Sequence, residues 1–325
     1  MIPKRSNHKL KRDLIITLAD KKYLTAAKQL FSSVYHKASW DGDYMLLARN
    51  IPEKDLKFFR DKGIFIKKCK GLYNKKIGKS KIGPYGLCKF YMFSMDFKHW
   101  KNIVYLDADT MVRSSLKALT GIKGFAAVKS VLLLKDQFAG INNINESKSK
   151  LYRELEHEMR MLGPSFNSGV MSFNTDIIKK ETFKELVDLF FKYKEIQLYA
   201  DQPTLNLYFS NRWTNLPMIY NLRPYRVIDQ TWIKADKLKA IVLHTKTGII
   251  EYKGPNYFYD EWMENLVKFE KIDLSRRKSV FEWKSHQIFY YLMYIKIRQI
   301  LFGPINKMLD LLNRLIKYNK MLSIR

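Results

Sequence analysis

The strongest constraint on the fold is the alternation of short apolar runs with helical stretches over residues 14–69. Residues 14–19, 44–49 and 64–69 are rich in β-forming apolar side chains, so each is a predicted strand. The first stretch between them has one apolar helical face, and the second begins at Pro52. This alternation predicts an α/β fold, with a mainly parallel sheet and helices on both of its faces.

Two carboxylates come directly after a further predicted strand. The apolar run 103–107 ends on Asp107, and Asp109 follows two residues later. Side chains two apart on an extended chain point the same way, so the pair can hold one divalent cation. The alternative is a solvated strand end. Asp41 and Asp43 form a second Asp-x-Asp, but they flank a glycine and predict only a turn.

Polar side chains recur at the ends of other predicted strands. Further predicted strands lie at 124–131, 166–174 and 240–244, and the stretch 135–163 is polar and partly helical. In open α/β sheets, ligands bind beyond the C-terminal ends of the strands. Four side chains fall at such predicted ends: Asp20, Asp107, Asp109 and His244. We therefore expect one ligand site at this edge of the sheet.

The charge and the cysteines limit the class of protein. A formal net charge of +28 attracts a polyanion such as nucleic acid, an anionic membrane surface or a phosphorylated substrate, unless it is only a solvated lysine-rich surface. Cys69 and Cys88 are the only cysteines and lack metal-ligand spacing, which predicts a reducing compartment and no disulfide framework. No run of about 18 uncharged apolar residues predicts a spanning helix, and no signal peptide is expected.

The C-terminal region differs from the rest of the chain. Residues 265–325 carry 13 Lys and Arg against 4 Asp and Glu. An apolar helical stripe follows Gly303 and Pro304, and it comprises Ile305, Met308, Leu309, Leu312, Leu315 and Ile316. We predict a catalytic domain over 1–262 and a basic amphipathic helical region over 263–325 that lies on a membrane surface. The alternative is a helix packed on the catalytic domain or on a partner.

An ordered set of motifs resembles a known family. Asp107-Ala108-Asp109, Asn167-Ser168-Gly169, Asp201-Gln202 and His244 follow one another in that order. Over about residues 13–262 the chain resembles glycosyltransferase family 8, the retaining enzymes that include glycogenin and bacterial lipopolysaccharide galactosyltransferases. The resemblance implies a GT-A-like, Rossmann-like α/β fold with a mixed, mainly parallel sheet flanked by helices. It also implies transfer of galactose or glucose from a UDP-sugar with retention.

The resemblance implies roles for individual residues. Asp107, Asp109 and His244 would bind Mn²⁺, with Mg²⁺ as the alternative. Nucleotide and donor-sugar contacts would come from Leu18, Asp20, Tyr23, Lys89, Asp107, Ala108, Asn167, Ser168, Gly248 and Lys253. Asp201 would accept hydrogen bonds from sugar hydroxyls, and Gln202 would lie near the anomeric carbon. An amide is a poor nucleophile, which favours front-face retention over a covalent intermediate.

Several of these residues also allow a purely structural interpretation. Asp20 and Asp201 can cap the helices that follow them, and Lys89 can be a surface lysine. Asn167, Ser168 and Gly169 can form a turn before a buried strand. The resemblance also implies a lysine near the leaving phosphate; either Lys246 or Lys253 would have this role, and Lys253 is preferred.

The acceptor and two rival functions complete the hypothesis. The irregular stretch 132–163 is expected to meet the acceptor, with Asp136 and Gln137 as candidates. A cell-surface glycan precursor is expected there (lipopolysaccharide, lipooligosaccharide, capsule or glycolipid), handled by a cytoplasmic enzyme on the inner face of the membrane. The rivals are a haloacid-dehalogenase-type phosphatase with Asp107 as nucleophile and a non-enzymatic polyanion-binding protein. No nucleic-acid recognition motif is found.

Overall fold

A seven-stranded mixed sheet forms the centre of the fold in the computed structural model, which describes residues 12–75, 83–139, 146–224, 239–245 and 258–274. Its strands are β1 (Asp13–Ala19), β2 (Asp43–Ala48), β3 (Phe65–Lys68), β4 (Asn102–Leu106), β6 (Phe125–Leu133), β7 (Pro164–Asn174) and β8 (Trp213–Leu216). A separate two-stranded sheet pairs β5 (Thr110–Val112) with β9 (Val242–His244). The predicted α/β fold with a mainly parallel sheet is confirmed.

One reversed strand in the large sheet matters for the site. The strand order is β3-β2-β1-β4-β7-β6-β8, and β7 alone runs antiparallel to both of its neighbours. The start of β7 therefore lies beside the C-terminal end of β4, where Leu106 pairs with Val170. The backbone N–H of Asp107 continues this ladder by donating to the Gly169 carbonyl, at 2.8 Å. The strand 166–174 was predicted from the sequence, but its direction was not.

Helices cover the sheet as the sequence predicted. Within the described residues, the α-helices are α1 (Leu24–Lys37), α2 (Glu53–Asp61), α3 (Glu146–Glu158), α4 (Thr182–Tyr193), α5 (Gln202–Tyr208) and α6 (Tyr259–Lys268). The segment Gly83–Phe93 is a 3₁₀ helix that supplies buried aromatic side chains to the core. Phe93 stacks on Phe173 there, with ring centroids 4.8 Å apart. Of the helices within the described residues, none combines the length and the hydropathy needed to cross a bilayer.

The two-stranded sheet corrects the expected position of His244. The sequence predicted that His244 ends a strand of the main sheet, whereas β9 instead pairs antiparallel with β5, so that His244 faces Thr110. The next residue, Thr245, donates its backbone N–H and its hydroxyl to the Asp109 carbonyl, at 3.0 and 2.6 Å. The ladder therefore brings His244 next to the Asp-x-Asp turn. The short strand β5 was not predicted.

The last described segment, 258–274, packs against α1. Tyr35 donates its hydroxyl to the Asp273 carbonyl at 2.7 Å, and Lys37 pairs with Glu261 at 3.1 Å. The guanidinium of Arg113 binds both carboxylate oxygens of Glu261. The predicted domain boundary after residue 262 falls inside α6, and residues beyond 274 lie outside the described residues, so the division into two regions stays a prediction.

Replacing Glu261 with Gln tests how much the ion pairs of Glu261 with Arg113 and Lys37 stabilise the fold. Burial raises the pKa of Glu261, but Arg113 and Lys37 outweigh it and hold the pKa below the usual 4.5. Because the pKa is lower in the folded state, the stabilisation is complete above pH 4.5 and is lost as the pH falls through the folded-state pKa. We expect Glu261→Gln to lower the free energy of unfolding by about 2 kcal/mol at neutral pH. Denaturant unfolding should show the difference shrinking below pH 4.5 and constant above it; a difference that does not change with pH would contradict this account.

Candidate active site

A cleft of about 470 Å³ opens at the edge of the sheet where β1 and β4 end. The predicted site residues that line it are Leu18, Tyr23, Lys89, Asp107, Ala108, Asp109, Asn167, Ser168, Asp201, Gln202 and His244. These residues are spread over more than 220 positions of the chain and come from β1, β7, β9, the turn between β4 and β5, two 3₁₀ helices and the start of α5. The structure therefore brings together, in one cavity, side chains that the sequence analysis selected one by one.

Asp107, Asp109 and His244 offer three ligand atoms that lie within 4.8 Å of one another. The Nε2 atom of His244 is 3.3 Å from Oδ1 of Asp109 and 3.9 Å from Oδ2 of Asp107. Two carboxylates and one imidazole are a donor set that suits a divalent ion such as Mn²⁺. The residues therefore fit the metal that the resemblance implies.

Gly169 provides the space that His244 occupies. A Cβ atom built on Gly169 would lie 2.3 Å from Cε1 and 2.7 Å from Nδ1 of the imidazole. Real Cβ atoms essentially never approach that closely, so any larger residue at 169 would displace the ring. The backbone at Gly169 thus lies directly against a candidate metal ligand.

Lys89 lies between two carboxylates at the base of the cleft. Its ammonium is 2.9 Å from Oδ1 of Asp107 and 3.0 Å from Oδ2 of Asp201, and only 5% of the residue is exposed. Burial alone would lower the pKa of Lys89, but the two carboxylates outweigh it and raise the pKa above its usual value. The interpretation of Lys89 as a surface lysine is therefore wrong.

The Asp107 carboxylate is held ionised by its neighbours. Burial raises its pKa, but the Lys89 ammonium, His244 and the Tyr105 hydroxyl lower it, and the net shift is downward. Tyr105 donates its hydroxyl to Oδ1 of Asp107 at 2.7 Å. Oδ1 of Asp107 thus contacts the Tyr105 hydroxyl and the Lys89 ammonium, while Oδ2 faces His244.

Asp201 does not cap the helix that it precedes. Its side chain makes no capping hydrogen bond to α5 and instead accepts from the Ser168 hydroxyl at 2.7 Å. A Cβ atom on Gly86 would lie 2.6 Å from Oδ1 of Asp201, so this carboxylate packs directly against the 3₁₀ helix. The capping interpretation of Asp201 is wrong, and its carboxylate is directed toward Lys89.

Asp20 does cap the short helix that follows it. Its carboxylate accepts from the backbone N–H of Tyr23 at 3.1 Å. It lines a second cavity beside the main cleft, together with Lys21, Arg49 and Tyr85. The Tyr23 and Tyr85 rings lie 5.6 Å apart and form one wall of the main cleft.

Besides Asp20, four predicted site residues are not part of the described cleft. The Asp136 carboxylate accepts from the backbone N–H of Leu133 at 2.8 Å, which makes it part of a local turn. Gln137 is fully buried, and its amide has no hydrogen-bond partner among the described residues. Gly248 and Lys253, and with them Lys246, lie outside the described residues.

Residues that no sequence motif marked also complete the cleft. Tyr85, Tyr105 and Arg223 line it, and the amide oxygen Oδ1 of Asn221 lies 2.8 Å from Nδ1 of His244. Tyr105 could have been found, because it is two residues before Asp107 and therefore on the same face of the strand. Asn221 follows a 3₁₀ helix in an irregular segment, where no periodic pattern marks it.

Comparison with known proteins places this geometry in a family. The model of glycosyl transferase family 8 matches residues 14–256. A curated relative, glycosyltransferase GlyB of Streptococcus pneumoniae serotype 4, is 25% identical over 219 residues, which cover 61% of this chain and 48% of GlyB. The chain thus spans about half the length of that relative.

Solved structures share the fold. An active-site mutant of LgtC superposes with a TM-score of 0.60 at 16% identity, covering 78% of this chain and 95% of that one. The WbbM bifunctional glycosyltransferase gives 0.56 at 17% identity, covering 83% and 53%. GlyE of Streptococcus pneumoniae TIGR4 gives 0.52 at 18% identity, covering 80% and 64%. At these identities the likeness concerns the GT-A fold.

Proposed function

This chain belongs to glycosyltransferase family 8, and we propose that it is a retaining, metal-dependent hexosyltransferase that uses UDP-galactose or UDP-glucose. The observation that carries the proposal is the position of the Asp107, Asp109 and His244 cluster beside Lys89 and the Asp201–Gln202 pair in one cleft. Family membership replaces the two rival hypotheses, a phosphatase with an Asp107 nucleophile and a non-enzymatic polyanion-binding protein.

The nucleotide end of the donor is assigned to the side of the cleft near β1. Leu18 and the Tyr23–Tyr85 pair offer an apolar and aromatic surface for a uracil ring, and Asp20 lies at the end of the same strand. A Mn²⁺ or Mg²⁺ ion held by Asp107, Asp109 and His244 would neutralise the diphosphate as it leaves. The excess positive charge of the chain favours such an anionic donor.

The sugar end is assigned to the opposite side, above β7 and α5. Asn167, Ser168 and Asp201 present amide, hydroxyl and carboxylate groups suited to sugar hydroxyls. The Oε1 atom of Gln202 already accepts from Nδ2 of Asn167 at 2.8 Å and from the Ser168 N–H at 3.3 Å. Because that oxygen is engaged, it is poorly suited to attack the anomeric carbon. This supports front-face transfer, in which the acceptor hydroxyl bonds to the anomeric carbon on the face that the phosphate leaves and gives its proton to the phosphate oxygen.

The acceptor is proposed to be a cell-surface glycan precursor: lipopolysaccharide, lipooligosaccharide, capsule or glycolipid. Ser130 and Leu132 bring the end of β6, the start of the stretch 132–163, to the rim of the cleft. A solved complex of the galactosyltransferase LgtC contains donor and acceptor sugar analogues, which supports galactose as one of the two candidate donors. The basic C-terminal region would hold the enzyme on the cytoplasmic face of the membrane, where a lipid-linked acceptor is presented.

Calorimetric titration with UDP tests the nucleotide and metal assignments together. We expect UDP to bind about tenfold or more tightly with Mn²⁺ than with EDTA, because an ion held by Asp107, Asp109 and His244 would attract the negatively charged diphosphate. Asp109→Ala should remove this difference. Asp41→Ala, in the second Asp-x-Asp, is the matched control and should retain it. Equal UDP affinity with Mn²⁺ and with EDTA in the unsubstituted protein would contradict the proposal.

A further inference from the structure

Four side chains, three of which line the cleft, form an uninterrupted hydrogen-bonded chain. Nδ1 of His244 lies 2.8 Å from Oδ1 of Asn221, and Nδ2 of Asn221 lies 2.8 Å from Oδ1 of Asn167. Nδ2 of Asn167 in turn donates to Oε1 of Gln202 at 2.8 Å. The chain joins the candidate metal ligand to the residue expected beneath the donor sugar.

Two backbone N–H groups determine which way the amides in this chain point. The N–H of Gly169 donates to Oδ1 of Asn167 at 3.2 Å, and the N–H of Ser168 donates to Oε1 of Gln202 at 3.3 Å. A backbone N–H can only donate, so both of these side-chain atoms must be the carbonyl oxygens. The amide orientations of Asn167 and Gln202 are therefore set by the main chain of β7.

The amide orientation of Asn221 follows in the same way, and it determines which nitrogen of His244 carries the proton. Because Oδ1 of Asn167 accepts, Asn221 must direct its Nδ2 group toward it and its Oδ1 atom toward the imidazole. The Nδ1 atom of a neutral His244 must then carry the proton. Since a neutral imidazole carries only one N–H, the Nε2 lone pair is left facing Asp107 and Asp109.

The backbone holds Asn221 in place for this contact. Asn221 is 5% exposed and directly precedes Leu222, which forms a bridge to Leu243 of β9. Leu222 accepts from the backbone N–H of His244 at 2.8 Å and donates to the Val242 carbonyl at 3.0 Å. Asn221 and His244 are thus presented side by side by two parallel stretches of chain.

We propose that Asn221 is a positioning residue with two roles: it selects the Nδ1–H tautomer of His244, and through Asn167 it holds the amide of Gln202 in place. At the far end, both lone pairs of Gln202 Oε1 are used, so its Nε2 group is what it offers a ligand. The effect of these two roles on turnover rests on the proposed function, whereas the tautomer assignment of His244 does not.

Two substitutions of Asn221 separate its two proposed roles. Asn221→Asp keeps an oxygen that can accept from Nδ1 of His244 but removes the donor to Asn167. Asn221→Leu removes both contacts. The matched control is Asn102→Leu, which replaces another buried asparagine, 3% exposed, at the N-terminal end of β4. That amide donates to Asp13 and has no contact with the cleft.

The first readout is the tautomer of His244, measured by long-range ¹H–¹⁵N correlation spectra of metal-free protein at a pH where the ring is neutral. Loss of one signal in His244→Gln assigns it among the six histidines. We expect the Nδ1–H form in the unsubstituted protein, in Asn221→Asp and in Asn102→Leu, and a shift toward the Nε2–H form in Asn221→Leu. An Nε2–H form in the unsubstituted protein, or the same tautomer in all variants, would overturn the proposal.

The second readout separates the metal side from the sugar side. Mn²⁺ affinity in the presence of UDP, followed by the electron paramagnetic resonance of free Mn²⁺, should fall about 10–100-fold in Asn221→Leu and stay near its original value in Asn221→Asp. In Asn221→Asp, kcat should fall on the order of tenfold with little change in the KM for the donor. Equal Mn²⁺ affinities in Asn221→Leu and Asn221→Asp would overturn the proposed positioning role of Asn221. If no UDP-sugar is turned over, the proposed function fails, and the tautomer result still decides the positioning role.

Discussion

Replacing Lys89 with Met is expected to lower the free energy of unfolding by about 3–5 kcal/mol and to abolish donor turnover. The ammonium of Lys89 is buried and lies within 3.0 Å of carboxylate oxygens of Asp107 and Asp201. Without it, two partly buried carboxylates face each other with no cation between them, and breaking a buried ion pair on one side typically costs this much. Denaturant unfolding measures the loss of stability, and UDP release measures the loss of turnover.

A lysine in an exposed ion pair is the control for this result. Lys101 pairs with Asp176 at 2.8 Å, with 45% of the lysine side chain and 71% of the aspartate side chain exposed. We expect Lys101→Met to cost less than about 1 kcal/mol and to leave turnover intact. Lys89→Met combined with Asp201→Asn should recover part of the lost stability, because the double variant removes one of the two unpaired charges. If Lys89→Met and Lys101→Met lower the free energy of unfolding equally, Lys89 does not neutralise buried negative charge.

Replacing Gly169 with Ala is expected to reduce metal-dependent turnover by about 100-fold, since a displacement on the order of 1 Å in a catalytic group can have that effect. The added methyl group would lie 2.3 Å from Cε1 of His244, so the imidazole has to leave its present position beside Asp107 and Asp109. The substitution changes no charged group and no hydrogen-bonding side chain. Mn²⁺ affinity in the presence of UDP should therefore fall together with turnover.

Gly121 gives a matched control for the same one-carbon change. A Cβ atom on Gly121 meets nothing within 4 Å. Gly121→Ala should leave Mn²⁺ affinity and turnover unchanged and should shift the free energy of unfolding by no more than about 0.5 kcal/mol. Full Mn²⁺ affinity in Gly169→Ala would show that the position of the His244 ring does not control metal binding.

The strand-end carboxylates could be predicted from the sequence because the pattern that marks them is local. Asp107 and Asp109 follow a run of residues that are all buried in the structure, and that run identifies the end of β4. The same holds for β1 and Asp20. Such runs reveal where a strand ends, and in a mainly parallel sheet the strand ends share one edge.

The remaining parts of the site depend on pairing between distant segments. The reversal of β7 places Asn167 and Ser168 beside Asp107, and the β5–β9 ladder places His244 opposite Thr110. Neither pairing has a local signal, because strand direction is decided by the partner strand. Asn221 is the extreme case, since its role is visible only through its hydrogen bonds to His244 and Asn167.

The acceptor candidates Asp136 and Gln137 do not line the described cleft, for a related reason. Asp136 and Gln137 are polar residues in an irregular stretch, which favours exposure, yet one caps a turn and the other is buried. Ser130 and Leu132, a few residues earlier, are the ones that reach the cleft. Composition could not distinguish the residues here that line the cleft from those that do not, and the role of the stretch 132–163 in acceptor binding stays a prediction.

Release of UDP from UDP-galactose and from UDP-glucose, compared in Mn²⁺ and in EDTA, is the most direct test of the central claim. We expect slow release from one of the two donors with Mn²⁺, no release with EDTA, and no release from Asp109→Ala under either condition. Release that continues in EDTA, or that survives in Asp109→Ala, would contradict a metal-dependent transferase built on Asp107, Asp109 and His244.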